Sequence, residues 1–172
     1  MKLSRIALYG TIAIPVALVA IYFWNPFSAH TLDPRGRVLG VIPYRIPSSS
    51  MEPALKQGGF LLACTTAYRD SPPKVGDIIV FWSPQELDRP WVKRVTALAG
   101  DSVEFQDGKF LRNGAIQEES FTSSPNIPAN IDRIKVPAGY VYVLGDNRSN
   151  SFDSRFHGPI LISSVIGKVC AK

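Results

Sequence analysis

The chain has 172 residues, a length that supports one modest domain with an apolar core and hardly a second. Its formal net charge is +5; without Lys2 and Arg5 the 19 basic residues become 17, against 14 acidic ones. That excess is too mild and too scattered to imply a nucleic-acid partner, although a slightly basic face suits anionic lipid headgroups.

Residues 1–5 form a short basic tail, and from Ile6 to Phe27 no charged residue occurs. A helix from Ile6 to Trp24 would be roughly 28 Å long, close to the thickness of a bilayer core. Tyr22 and Trp24 stand at its lower edge, so residues 6–27 are expected to be a transmembrane anchor. A cleaved secretory signal also starts with basic residues, but its apolar region usually runs about 7–15 residues and ends at a small-x-small site, which does not stand out here. Charge leaves the orientation open, because Lys2 and Arg5 are matched by Arg35, Arg37 and Arg45 on the other side. From Asn25 the sequence turns to turn formers and charges, and residues 28–37 read as a juxtamembrane linker without structure.

Residues 38–172 repeat one theme, short β-branched and aromatic runs cut by Gly, Pro, Asp and Asn. Strands are expected over Val38–Ile46, Phe60–Ala67, Asp77–Trp82, Trp91–Ala97, Ser102–Phe105, Lys109–Arg112, Tyr140–Leu144 and Val165–Val169, which predicts a mainly β, antiparallel domain. Gln106-Asp107-Gly108-Lys109 reads as a tight hairpin and Asn113-Gly114 as a second turn. A short turn is expected over Glu52–Lys56 and a mobile loop over Ser120–Asn130. Cys64 and Cys170 form no C-x-x-C or His-linked pattern, so no metal site is read; they are taken as separate buried thiols, with pairing left open for an oxidising compartment.

Three polar segments sit where strands end. Pro47-Ser48-Ser49-Ser50-Met51-Glu52-Pro53 holds serines between prolines, suited to a nucleophile on a fixed backbone but equally common in plain loops. In Trp91-Val92-Lys93-Arg94-Val95, strand alternation puts Lys93 on the face of Trp91 and Val95. Burial there would lower its pKa toward that of a general base, whereas a lysine reaching to the surface is the ordinary alternative. Gly145-Asp146-Asn147-Arg148-Ser149-Asn150-Ser151-Phe152-Asp153-Ser154-Arg155 follows an apolar strand, and Asp153 could pair with Arg155 to shape the loop.

In order and wording these segments resemble the type I signal peptidases, whose motifs read approximately P-S-x-S-M-x-P-T-L, G-D-x-x-x-F, K-R-x-x-G-x-x-G-D and G-D-N-x-x-x-S-x-D-S-R. They stand here as Pro47 to Leu55, Gly76 to Phe81, Lys93 to Asp101 and Gly145 to Arg155. The resemblance implies an antiparallel signal-peptidase-type catalytic domain on one N-terminal transmembrane helix. It also implies a serine endopeptidase of the inner (plasma) membrane, single-pass, with its catalytic domain on the periplasmic side. Its partners would be precursor proteins with signal peptides and the lipid bilayer, with no cofactor and no metal.

Carried over by position, Ser50 resembles the nucleophile and Lys93 the general base. Ser48, with the backbone N–H of Ser50, resembles the oxyanion donors, and Ser151 the serine that holds the lysine amine. Asp153 and Arg155 resemble a supporting ion pair, Met51 and Leu55 the lining of shallow substrate pockets, and Gly76 and Asp77 structural positions. Ser49, Ala54, Ala97 and Ala99 depart from the family wording without removing a reacting group.

Competing readings are a Ser-His-Asp triad through His157 and Asp153, a dedicated maturation peptidase of the same fold such as one processing conjugative pilins, and a non-catalytic peptide-binding β module. A self-cleaving Ser-Lys repressor fits less well still.

Overall fold

The computed structural model describes residues 2–86, 89–122 and 130–172, with the side chains of the first helix described from residue 13. That helix, α1, runs Lys2–Trp24. Among the described residues no helix is long and apolar enough to cross a membrane, so the anchor expected over 6–27 is met only as a helix.

The linker expected over 28–37 is instead built structure. Asn25 ends α1 in a left-handed conformation (φ 49°) and its side chain accepts from Ala29 N at 3.0 Å. Asp33 then caps a second helix, α2 (Pro34–Leu39), by accepting from Arg35 N at 2.9 Å; Pro34 occupies the first turn, and Gly40 (φ 74°) closes the helix. An Asp-Pro start and a Gly stop are ordinary helix signals, overridden in the sequence reading by the high density of turn formers. Gly36 lies so close to Ile42, Thr31 and Thr65 that a Cβ would meet their side chains at 2.9–3.1 Å, and its carbonyl accepts from Thr65 Oγ1. The collar is thereby packed onto the β domain. Tyr22 of α1 joins it, donating to Leu32 O and lying under the Arg37 guanidinium at 5.0 Å.

The strands are β1 (Val41–Arg45), β2 (Phe60–Cys64), β3 (Ile78–Trp82), β4 (Pro90–Leu98), β5 (Ser102–Gln106), β6 (Lys109–Arg112), β7 (Ala115–Ile116), β8 (Ile131–Lys135), β9 (Tyr140–Leu144), β10 (Ile160–Leu161) and β11 (Val165–Ala171), with a one-turn helix α3 (Ser154–His157) before β10. A seven-stranded sheet has the order β1-β2-β11-β3-β4-β9-β10 and a four-stranded sheet β7-β6-β5-β8; every pairing is antiparallel. The eight expected strands are present, the first shortened because Val38 and Leu39 belong to α2 and Gly40 caps it, the second because Thr65–Tyr68 closes into a 3₁₀ turn. Three more were not foreseen: β7 and β10 are two residues long, and β8 is an edge strand whose Ile-Asp-Arg-Ile-Lys sequence shows little apolar character.

Side-chain alternation divides the core among three clusters. In β3, Ile79 and Phe81 face Val95, Val141 and Val143, while Val80 faces Ile42, Met51, Leu55 and Ile166. In β9, Tyr142 and Leu144 face the third cluster, with Val103, Phe105 and Phe110. The register of β4 against β9 shifts between Val95 and Ala97, and these two residues, which a regular strand would put on one face, lie in different clusters. Asp107-Gly108 and Asn113-Gly114 turn the hairpins of the smaller sheet with positive φ at both residues, as expected of such pairs. The loop expected over Ser120–Asn130 falls largely outside the described residues.

The two cysteines are joined, contrary to the separate thiols expected. Cys64 ends β2, and β11 runs beside it with a register shift between Val169 and Ala171 that brings Cys170 to it, Cα–Cα 5.9 Å. Their 106-residue separation hid a pairing that only the neighbouring of β2 and β11 creates.

Candidate active site

The chain leaves the edge strand β1 at Arg45 and enters a tight turn over Ser50–Ala54. Glu52 N donates to Ser49 O and Leu55 N to Met51 O, while Met51 and Leu55 are sunk completely into the first core cluster. Neither exposes appreciable surface, and both root the turn in the core. Ser50, between them and solvent, is 6% exposed.

β4 brings Lys93 to the serine. As its alternation predicts, Lys93 shares a face with Trp91 and Val95, is itself 6% exposed, and lies 5.9 Å from the Trp91 ring. Its Nζ donates to Ser50 Oγ at 3.0 Å and to Val92 O at 3.1 Å. Ser48 Oγ lies 3.2 Å from Ser50 Oγ. Burial pushes the amine of Lys93 down to about 8, outweighing the opposite pull of Asp153 and Asp146. A lysine held there carries a usable fraction of neutral amine near pH 7 to 8, and that form accepts a proton.

The Gly145–Arg155 loop braces the Ser50 turn from behind. Asn147 N donates to Ser50 O at 3.0 Å, Asn147 Nδ2 to Ser49 O at 3.2 Å, and Asn150 Nδ2 to Ser49 Oγ at 2.8 Å. The loop is itself fixed by Asp153, fully buried, which accepts from Arg155 Nε and Nη2 at 2.7 and 2.9 Å and from Gly145 N at 2.9 Å. Arg155 also donates to the carbonyls of Arg148 and Ser151. A second ion pair joins β4 to the loop, with Arg94 donating to both carboxylate oxygens of the buried Asp146 at 2.8 and 2.6 Å and to Gly76 O at 2.9 Å. Asp77 accepts from Tyr68 and from Lys74 N and pairs with Lys168 at 2.7 Å, tying the turn before β3 to β11.

Of the expected site residues, the fold brings together Ser50, Lys93, Ser48 and the Asp153–Arg155 pair. Ser151 differs: its hydroxyl is buried without a hydrogen-bond partner among the described residues, and the second bond of the Lys93 amine goes to Val92 O. The triad reading fails on geometry. Both nitrogens of His157 are buried without a hydrogen-bond partner among the described residues, its ring packs against Trp91 and Phe152, and the Asp153 carboxylate is bound by Arg155 and Gly145. Arg94, Asp146, Asn147 and Asn150 were not singled out from the sequence, although all four stand inside the motif segments.

A family model described as signal peptidase, peptidase S26, matches residues 5–172. Thylakoidal processing peptidase 1 of Arabidopsis thaliana chloroplasts is 38% identical over 152 residues, covering 83% of this chain, which spans only 44% of that relative's length. A probable signal peptidase I-1 of Synechocystis is 41% identical over 133 residues, covering 73% of this chain and 67% of its own. A crystal structure of a signal peptidase I from Enterococcus faecalis superposes with a TM-score of 0.50 at 31% identity, covering 56% of this chain and 96% of that one. A matching family model over almost the whole chain, on a β fold that assembles the motif segments around Ser50 and Lys93, leads to one conclusion: the chain belongs to the signal peptidase S26 family.

Proposed function

We propose that the chain is a membrane-anchored serine endopeptidase that removes signal segments from exported precursors through Ser50 and Lys93. The observation that carries this reading is the 3.0 Å contact between the buried amine of Lys93 and Ser50 Oγ. In its neutral form Lys93 takes the hydroxyl proton as Ser50 Oγ attacks the scissile carbonyl, forming a tetrahedral intermediate. The Ser48 hydroxyl and the backbone N–H of Ser50 donate to its oxyanion, and one such donor is typically worth about 2.7–4 kcal/mol. The protonated Lys93 then gives its proton to the leaving amine as the peptide bond breaks; neutral again, Lys93 takes a proton from the water that attacks the acyl-enzyme and returns it to Ser50 Oγ as the ester bond breaks and the carboxylate product leaves. The precursor lies extended beside the edge strand β1, which leads directly into Ser48–Ser50.

Ser151 serves in this scheme to hold the Lys93 amine, its buried hydroxyl having no hydrogen-bond partner among the described residues. Met51 and Leu55 act beneath the substrate by holding the turn.

α1 serves as the single membrane anchor, the catalytic domain standing on the extracytoplasmic side of the plasma membrane. Support comes from the uncharged run over 6–27, the exposed apolar side chains of Ile14, Val16, Phe23 and Trp24, and the Cys64–Cys170 disulfide, which suits an oxidising compartment. Purified full chain with a labelled precursor tests the reading. Cleavage by wild type and His157→Phe but not by Ser50→Ala or Lys93→Ala supports it; cleavage by Lys93→Ala, or loss with His157→Phe alone, rejects it.

A further inference from the structure

The loop behind the nucleophile carries a cation that its own strands leave unbalanced. The Arg148 side chain is 2% exposed, its Nε donates to Gly145 O at 3.0 Å, and a guanidinium so far from water needs an anionic partner. The partner comes from the other sheet. Glu119, in the segment that follows β7, accepts from Arg148 Nη2 at 2.6 Å on one carboxylate oxygen and from Nη1 on the other. The pair is two-pronged and nearly dry, since the Glu119 side chain is only 10% exposed.

Glu119 is itself held in place. Gln117 N donates to Phe110 O, Thr122 N to Glu119 O, and the ring of Phe121 packs against the Arg94 guanidinium at 4.2 Å. Residues 117–122 thus reach from the four-stranded sheet to both cations that grip the Gly145–Asn150 stretch, Arg94 through Asp146 and Arg148 through Gly145.

Gly145 is where that grip meets the chemistry. A Cβ at this position would lie 2.1 Å from Ser151 Oγ and 2.6 Å from Ser50 O, so Gly145 is in direct contact with both serines. Its carbonyl is the group that Arg148 holds.

We propose that Glu119 is a positioning residue for peptide cleavage: through Arg148 it presses Gly145 against Ser50 and so sets the approach of Ser50 to Lys93. The inference rests on the Ser50–Lys93 reading above. Glu119 touches no reacting atom and lies outside all four motif segments. Its loss acts on kcat, because misplacement of a nucleophile by about 1 Å can cost on the order of a hundredfold while leaving the binding surface in place.

The test uses the full chain in detergent micelles and an internally quenched peptide carrying Ala-x-Ala before the scissile bond. Wild type, Ser50→Ala, Glu119→Gln, Glu119→Ala and Glu119→Asp are compared, with unfolding midpoints measured alongside. Glu119→Gln and Glu119→Ala are expected to lower kcat on the order of tenfold or more with KM within about twofold, and Glu119→Asp, which keeps the charge, to recover part of the loss. The proposal is overturned if Glu119→Gln and Glu119→Ala turn over like wild type. It is equally overturned if the deficit vanishes once rates are divided by the folded fraction, titrated with an acylating serine inhibitor. Should the single variants unfold, Glu119→Leu with Arg148→Met removes both buried charges. A folded double variant with wild-type kcat overturns the proposal, and one with reduced kcat supports it. Folded wild type that leaves the peptide intact rejects the Ser50–Lys93 reading itself, which separates the two failures.

Discussion

Arg94 and Asp146 meet in a two-pronged ion pair at 2.6 and 2.8 Å, 52 residues apart in sequence, and the residue before Arg94 is Lys93. Strand alternation sends neighbouring side chains to opposite faces, so one face of β4 presents the amine to Ser50 while the other clamps the loop that braces Ser50. Lys93 and the brace on Ser50 are therefore held by one rigid strand.

Breaking that clamp should be costly. Asp146 is fully buried, and removing its partner leaves an uncompensated carboxylate, which typically destabilises by about 3–5 kcal/mol. Arg94→Gln is expected to lower the urea midpoint accordingly. Arg94→Lys should recover only part, since an ammonium cannot make the paired contact. An unchanged midpoint in Arg94→Gln would refute this.

The pH dependence follows from the lowered pKa of Lys93, about 8 in place of 10.5. In the proposed mechanism the neutral amine is the active form, so kcat/KM should rise with pH, pass half-maximum near 8 and level off above, with only roughly a tenth of molecules competent at pH 7. Stability carries the same sign. The unfolded lysine keeps its proton up to about 10.5 and the folded one loses it near 8, so between these values the unfolded state binds more protons and stability rises with pH. Below about 8 both states are protonated and the whole cost of burying the ammonium remains. Lys93→Met should therefore be inactive yet more stable than wild type at pH 7, on the order of a few kcal/mol, with the gain shrinking toward pH 10. Equal midpoint shifts at both pH values would contradict it.

The Cys64–Cys170 bridge ties β2 to the last strand and closes most of the β domain into one loop, with 106 residues of separation. For a loop of that length the chain-entropy contribution is about 4–5 kcal/mol. Urea unfolding with and without dithiothreitol should show a drop of that order in wild type and none in Cys64→Ala/Cys170→Ala. A reductant effect on the double variant would mean that the drop has another origin.

Gly145→Ala is expected to abolish cleavage, because the new methyl would fall 2.1 Å from Ser151 Oγ and 2.6 Å from Ser50 O. Adding Ser151→Gly relieves the first contact and leaves the second, which is backbone, so activity should stay lost. Wild-type rates in Gly145→Ala, measured on the quenched peptide, would show that the loop can yield at this point.

The β character of the chain was legible because it rests on local chemistry. Short β-branched and aromatic runs such as Ile78–Trp82 and turn pairs such as Asp107-Gly108 need only their neighbours to declare themselves. α2 was missed although Asp33, Pro34 and Gly40 mark its ends, because a six-residue helix is too short for a periodic signal. β8 was missed because an edge strand with one face in water has little reason to be apolar.

The sequence by itself determined which groups could react: a serine turn between prolines, a lysine on an apolar strand face, and an Asp-Arg loop, in family order. Tertiary structure alone decided their state. Whether Lys93 is a surface cation or a buried amine depends on β3 and β9 closing on either side of β4, and its bond to Ser50 spans 43 residues. The disulfide, the Arg94–Asp146 clamp and the reach of Glu119 to Arg148 arise in the same way. They join residues 29 to 106 positions apart, at contacts that exist only once the sheets have chosen their order and register.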